Sequence, residues 1–259
     1  MNSEICFIGA GNLATHLSKS LSESGFKISQ IYSRTDKSAK RLGDLLKTKY
    51  TSDINRIDKD ADIYFIALKD SAVDEVLSQI NFNNKLIVHC SGSLPLSVLN
   101  KYSENTGVLY PLQTLSKNRD VDFKTIPIFI ESNSVKNESR LLEIARKLSN
   151  SVSVLNSEKR KTLHISAVFA CNFVNHLYSV SAEILKKDDI PFYVLKPIIL
   201  ETAQKVQELE PEKAQTGPAV RFDETIISSH LKVLKGENNY AELYNSISKS
   251  IFEYHKKKK

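Results

Sequence analysis

The chain has 259 residues, 41% hydrophobic and 25% charged, a globular composition long enough for one large or two smaller domains. Of its 36 Lys and Arg side chains four form the terminal run 256–259, which leaves 32 against 30 acidic ones; the nearly neutral body carries no basic stripe interleaved with aromatics, so no nucleic-acid partner is expected. No apolar run approaches the roughly 18 residues a membrane helix needs, and Cys6, Cys90 and Cys171 stand singly in apolar runs, so neither a membrane partner nor a metal site is expected. Met1 is followed by Glu4 and a strand pattern without a signal-peptide n-region or h-region, and a cytoplasmic protein with buried thiols is expected. The lysine run reads as a solvated, frayed end, with membrane or nucleic-acid contact as the alternative.

From residue 1 to about 156, β-branched and aromatic runs alternate with helix-period segments, the rhythm of βαβ units around a parallel sheet. The first predicted strand, 4–8, runs into Gly9-Ala10-Gly11-Asn12-Leu13-Ala14, which fits G-x-G-x-x-A between a strand and a helix predicted over 13–24. In that motif Gly9 allows a tight turn, Gly11 lets backbone approach a pyrophosphate, and Ala14 lets the helix pack closely on the sheet. The helix start at Asn12 and Leu13 offers free N–H groups and the positive dipole end to phosphates. The alternative is a tight turn without ligand. A second strand, 27–33, ends in Ser33-Arg34-Thr35, where an NAD-binding protein would place a carboxylate on the ribose. A guanidinium and two hydroxyls suit a 2′-phosphate instead, with Lys37 as a nearby point charge, so NADP(H) is the expected cofactor. The alternative leaves Arg34 as a solvated residue opening the next helix.

A helix is predicted over 37–46, and the strands 62–68 and 85–90 are nearly continuous apolar runs, as when helices cover both faces of a parallel sheet. The loops after them fall at carboxyl ends of strands, where Leu68 would cover the ribose-nicotinamide region and Gly92 would admit close backbone approach. Asp70 and Ser71 are expected to cap a helix over 72–80. Strands at 107–110, 126–131 and 152–155 and a helix at 136–148 complete this half.

Beyond residue 156 the strand signals cease, which divides the chain into 1–156 and 157–259. Ser157 is expected to cap a helix reaching about 187, Pro191 to begin another ending near 209, and two more to flank Gly236 between 223 and 255. Residues 210–222, with two prolines and a glycine, are a loop or broken helix. A polar stripe of His164 and Asn172, joined a turn later by Asn175 and His176, interrupts the first helix. His164 is a candidate proton donor to a carbonyl or imine that receives hydride, histidine being the side chain that titrates near neutrality; a hydrogen-bonded interfacial histidine is the alternative. Asn172 and Ser91 are candidates to orient a substrate. Thr216-Gly217-Pro218 with Arg221 and Asp223 would form a carboxylate clamp or, equally, an Arg221–Asp223 pair with Asp223 as a helix cap.

The GAGNLA turn, the SRT strand end, HCSGS at 89–93, YPLQT at 110–114, HISAVFACN at 164–172 and TGPAVRFD at 216–223 together resemble a family of Rossmann-fold proteins with a helical C-terminal domain of unknown function, similar to pyrroline-5-carboxylate reductases and F420-dependent NADP oxidoreductases. The resemblance implies a doubly wound, mostly parallel Rossmann sheet followed by an all-α dimerisation domain like the C-terminal domain of 6-phosphogluconate dehydrogenase, and a homodimer joined through it. The family has His where this chain has Tyr110, and Gly where it has Phe222, whose bulk would narrow the cleft or restrict that loop. The related dehydrogenases carry a catalytic lysine on the first C-terminal helix, where His164 and Asn172 stand here. Expected is an NADP(H)-dependent oxidoreductase passing hydride to or from a small carbonyl, imine or hydroxy acid, with Arg221 binding an anionic group of the substrate. A non-catalytic NADP(H) sensor or scaffold, and use of F420, stay open.

Overall fold

The computed structural model describes residues 3–236 and 239–257. The chain forms two compact units, Met1–Asn172 and Phe173–Lys259. Strands end at Val154, and the helix that follows them is grouped with the first unit.

The first unit is built on β1 (Glu4–Ile8), β2 (Lys27–Tyr32), β3 (Lys49–Thr51), β4 (Ile63–Ile66), β5 (Leu86–His89), β6 (Thr106–Pro111), β7 (Ile128–Ser132) and β8 (Val152–Val154), in the spatial order β3-β2-β1-β4-β5-β6-β7-β8. All pairings are parallel except β6 with β7. This is the doubly wound, mostly parallel sheet expected from the sequence. Strand order reverses between β1 and β4, and the crevice beyond the carboxyl ends of strands at such a point is where open α/β sheets bind ligands.

Alternation along β1 assigns the two faces. Ile5 and Phe7 point toward α1 (Asn12–Glu23) and α2 (Asp36–Leu46), whose Ala14, Leu17, Leu21 and Leu42 are buried with them, whereas Cys6 and Ile8 belong to the opposite layer with Val76 and Leu77 of α3 (Val73–Leu77). Leu141, Ile144, Ala145 and Leu148 of α4 (Val135–Leu148) extend the first layer. Phe7 stacks on Phe65 at 5.3 Å between centroids, and the runs 63–66 and 86–89 are buried throughout, as their uninterrupted apolar sequence requires.

Local differences from the sequence reading each have a cause. The strand β3 is an extra one: three residues on the sheet edge are too short and too polar to show a period. Asp70 and Ser71 do not cap α3, which is shorter than expected; they lie in a 3₁₀ turn, Asp70–Ala72, with no side-chain cap, and the Asp70 carboxylate accepts from Ser91 Oγ instead. Ser157 does not cap α5 (Ser157–Ala167); Asn156 Oδ1 accepts from Lys159 N at 3.0 Å, which frees the Ser157 hydroxyl for Glu131 and Leu96 N. The single helix expected to reach 187 is α5, a π-helical stretch over Val168–Phe173, and α6 (Val174–Lys186).

Among the described residues the second unit is all helical. Pro191 precedes a 3₁₀ turn, Phe192–Leu195, that leads into α7 (Lys196–Glu208). The expected loop or broken helix contains two single turns, α8 (Pro211–Ala214) and α9 (Pro218–Arg221). Then come α10 (Glu224–Val233) and α11 (Tyr240–Lys256), with Val180, Ala219, Ile227, Leu234 and Ser248 at the centre of the unit. Lys256 extends α11 rather than fraying, and Lys258 and Lys259 lie outside the described residues.

Candidate functional site

The turn after β1 needs one of its glycines for geometry and leaves the other for a ligand. Gly9 has φ +123°, donates its N–H to the Tyr32 carbonyl at 2.8 Å, and a Cβ there would lie 2.3 Å from the Ala67 carbonyl oxygen, so no other residue fits beside β4. Gly11 has ordinary dihedrals as N-cap of α1, and a Cβ there would meet nothing within 4 Å. Its missing side chain opens space above the helix. No side chain caps α1, whose first backbone bond is Thr15 N to Gly11 O at 3.0 Å, so the N–H groups of Asn12, Leu13 and Ala14 face that space without a helical partner. These features fit a dinucleotide pyrophosphate. The Asn12 amide is already engaged with the Leu115 carbonyl at 2.8 Å, so Asn12 offers its backbone.

At the end of β2, Ser33 N is fixed by the Thr51 carbonyl of β3 at 3.2 Å. Arg34 is exposed and has no ion-pair partner among the described residues. Thr35 is the N-cap of α2 without a capping bond; its hydroxyl donates to Ser38 Oγ at 2.8 Å. Guanidinium, hydroxyls and a second uncapped helix start are thus gathered at one strand end, and they fit a 2′-phosphate. Ser38 escaped the sequence reading, although its position three residues past a Thr N-cap is a capping-type spacing.

A cavity of about 270 Å³ lies at the carboxyl ends of β4 and β5, lined by Leu13, Leu68, Ser91, Gly92, Tyr110 and His164 among others. Its catalytic candidate is held from three sides. A Cβ on Gly92 would come within 2.6 Å of His164 Nδ1, so the imidazole packs directly on the Gly92 backbone. Tyr110 Oη lies 3.0 Å from His164 Nδ1. Burial raises the Tyr110 phenol, with the Arg160 charge opposing, so the hydroxyl stays protonated at neutral pH and can donate to Nδ1 or accept from it, as the imidazole tautomer requires. One helical turn before His164, the Arg160 guanidinium is 1% exposed, ion-pairs with Glu131 of β7, and donates to the Leu94 carbonyl at 2.6 Å. That anchor sets where α5 presents His164. Tyr110 entered the sequence reading only as a departure from a family pattern and Arg160 not at all; the i, i+4 spacing of Arg160 and His164 was its available signal.

The Ser91 hydroxyl donates to Asp70 Oδ2 at 3.0 Å and accepts from Ser93 N and Leu94 N at 3.0 and 3.1 Å, while Ser91 N reaches His89 Nδ1 at 3.2 Å. Ser91 therefore shapes the turn that carries Gly92. Burial pushes the Cys90 thiol up, which keeps it a protonated, unreactive wall residue. Asn172 lies in the π-helical stretch, is exposed and does not line the cavity. Arg221 lies on α9 in the second unit, exposed, without an ion pair to Asp223 among the described residues; Asp223 Oδ1 caps α10 by accepting from Ile226 N at 3.2 Å. Among the described residues no group of three or more His, Cys, Asp or Glu is placed to hold a metal, and no helix is long and apolar enough to cross a membrane.

Residues 4–92 match the family model described as NADP oxidoreductase coenzyme F420-dependent, and residues 126–251 match a domain of unknown function, DUF2520. No curated protein matches the chain. Among solved structures, it is similar to a Bacteroides fragilis protein assigned as an NADP oxidoreductase, at 48% identity and TM-score 0.94, covering 97% of this chain and 98% of that one. A Thermotoga maritima protein gives 23% identity and TM-score 0.81 over 97% and 99% of the two chains. The fold is also that of an imine reductase from Myxococcus stipitatus in complex with NADP+, at 14% identity and TM-score 0.65 over 98% and 93%. With a relative 48% identical along nearly the whole of both chains, the protein belongs to the NADP oxidoreductase family that joins an F420-dependent-type cofactor domain to this C-terminal domain.

Proposed function

We propose that the protein reduces a small carbonyl or imine, or oxidises the corresponding hydroxy acid or amine, with residues 1–156 holding NADP(H) and 157–259 supplying substrate and dimer contacts. The observation that carries this reading is the Tyr110–His164 pair, packed on Gly92 in a cavity beside the cofactor turn. Gly9, Gly11 and the N–H groups of Asn12 and Leu13 take the pyrophosphate, Ser33, Arg34 and Thr35 the 2′-phosphate, and Leu68 and Gly92 the nicotinamide end. Bound NADPH supplies hydride from its nicotinamide ring.

Protonated His164 gives from Nε2 the proton that the reduced atom needs and is left neutral, its remaining Nδ1 proton bonded to Tyr110 Oη. Ser91 acts by holding the Gly92 turn. The protein works as a homodimer in the cytoplasm: Ile198 and Leu200 of α7 expose 63% and 58% of their surface, and the three cysteines are free thiols.

The test is NADPH oxidation, followed by absorbance, across a panel of keto acids and cyclic imines. Turnover that falls on the order of a hundredfold in His164→Ala, with NADPH affinity retained, is expected. Tight NADPH binding with no turnover on any substrate would instead make the protein a sensor or scaffold.

A further inference from the structure

We propose that Lys117 is a pyrophosphate-binding residue, carried to the cofactor by a strap, residues 112–122, that follows β6 and runs along α1. The inference rests on the NADP(H) reading above and adds to it a segment far from the GAGNLA motif in sequence.

The strap is keyed to the helix residue by residue. Its Leu115 carbonyl accepts from Asn12 Nδ2 at 2.8 Å, its Ser116 carbonyl lies 2.9 Å from His16 Nε2, and its Asp120 carboxylate pairs with Lys19 at 3.2 Å. Positions 115, 116 and 120 thus meet 12, 16 and 19 in order, so the strap is parallel to α1 and in fixed register with it. Between the last two, the Lys117 side chain turns back to the start of the helix and donates to the Ala10 carbonyl at 2.9 Å, inside the glycine turn itself.

Electrostatically this is an unfinished arrangement. A carbonyl offers Lys117 only a partial negative charge. The charged surroundings are positive: the free N–H end of α1, and the Arg41 guanidinium from α2, near enough to disfavour the Lys117 charge. Neither Lys117 nor Arg41 has a carboxylate within ion-pair distance among the described residues. Burial, and then Arg41, hold the ammonium below its usual range, the cost of keeping a cation there without a counter-charge. A doubly charged diphosphate over Gly11 supplies that counter-charge, and the strap has already met the entropy cost of ordering the lysine. The 2′-phosphate has its own basic group in Arg34, at the other strand end.

The test is a binding titration, by intrinsic fluorescence or calorimetry, of NADPH, NADH and adenosine 2′-monophosphate, which lacks the pyrophosphate, against wild type, Lys117→Met, Lys117→Arg and Arg34→Ala. Lys117→Met is expected to weaken NADPH and NADH by the same factor, about tenfold, to leave the monophosphate unchanged, and to be rescued by Lys117→Arg. Arg34→Ala is expected to weaken NADPH and the monophosphate and spare NADH. Unchanged dinucleotide affinity in Lys117→Met overturns the proposal. So does a loss shared by NADPH and the monophosphate but not by NADH, which would put Lys117 on the 2′-phosphate, or a loss of all three with a lowered melting temperature, which would make the strap merely structural. A wild-type protein that binds no dinucleotide removes the cofactor reading together with the proposal.

Discussion

The most constrained positions in this protein are those where a side chain is excluded or a charge suppressed. Gly9 and Gly92 are both required by a neighbour from a distant part of the sequence, the Ala67 carbonyl and the His164 ring. His89, next to the Gly92 turn, is 1% exposed and accepts from Ser91 N; burial first and the Arg160 charge second lower its imidazole from 6.5 to about 3. The folded protein keeps His89 neutral where the unfolded chain takes up a proton. Stability from this group is therefore complete above about pH 6.5 and declines as pH falls toward 3. Between pH 7 and pH 5 the loss should be about 2 kcal/mol, and His89→Leu, unable to titrate, should lose less over the same interval by that amount in urea unfolding. Equal pH slopes for the two proteins would show that His89 is protonated in the folded state.

At the scale of elements, helix ends decide most of what the structure adds. The start of α1 is left uncapped by side chains and open above Gly11, whereas α4 and α5 are capped by Ser134 and Asn156. The corner between α9 and α10 is the opposite case. Phe222 closes α9 in the left-handed region, φ +52°, a conformation glycine adopts freely, and its ring packs on Phe252 at 5.0 Å between centroids. The resemblance that placed a family glycine here thus has a backbone reason, and this chain pairs a strained residue with a ring contact. Phe222→Ala and Phe222→Gly both remove the ring, but only alanine keeps the left-handed cost, so the glycine variant should be the more stable of the two by about 1 kcal/mol in denaturant unfolding. An alanine variant as stable as the glycine one would mean that the corner relaxes out of the left-handed conformation.

At the scale of the molecule, the second unit leaves more apolar surface uncovered than a lone helical domain usually does. Tyr193, Val194, Ile198 and Leu200, in or just before α7, are 64%, 45%, 63% and 58% exposed. If a second copy covers this surface, light scattering should give the mass of a dimer, and Ile198→Glu, which sets a charge in that contact, should shift the protein toward monomer. A wild-type protein that is monomeric at micromolar concentration would remove the homodimer from the proposed function.

Sequence by itself determined the alternating first half, the end of the strands before residue 157 and the glycine turn between β1 and α1. Those signals are local: strand and helix periods, a glycine spacing in its strand–turn–helix context, and the absence of a carboxylate beside Arg34 are written in consecutive residues. Tertiary structure decided everything that depends on distant partners. Asp70 reads as a cap until Ser91 arrives from 21 residues on, and Ser157 reads as a cap until Glu131 claims its hydroxyl. The pairing of Tyr110 with His164 spans 54 residues, and the return of Lys117 to Ala10 spans 107. No period or spacing encodes such contacts, because they exist only once parallel strands have brought their carboxyl ends to one side of the sheet.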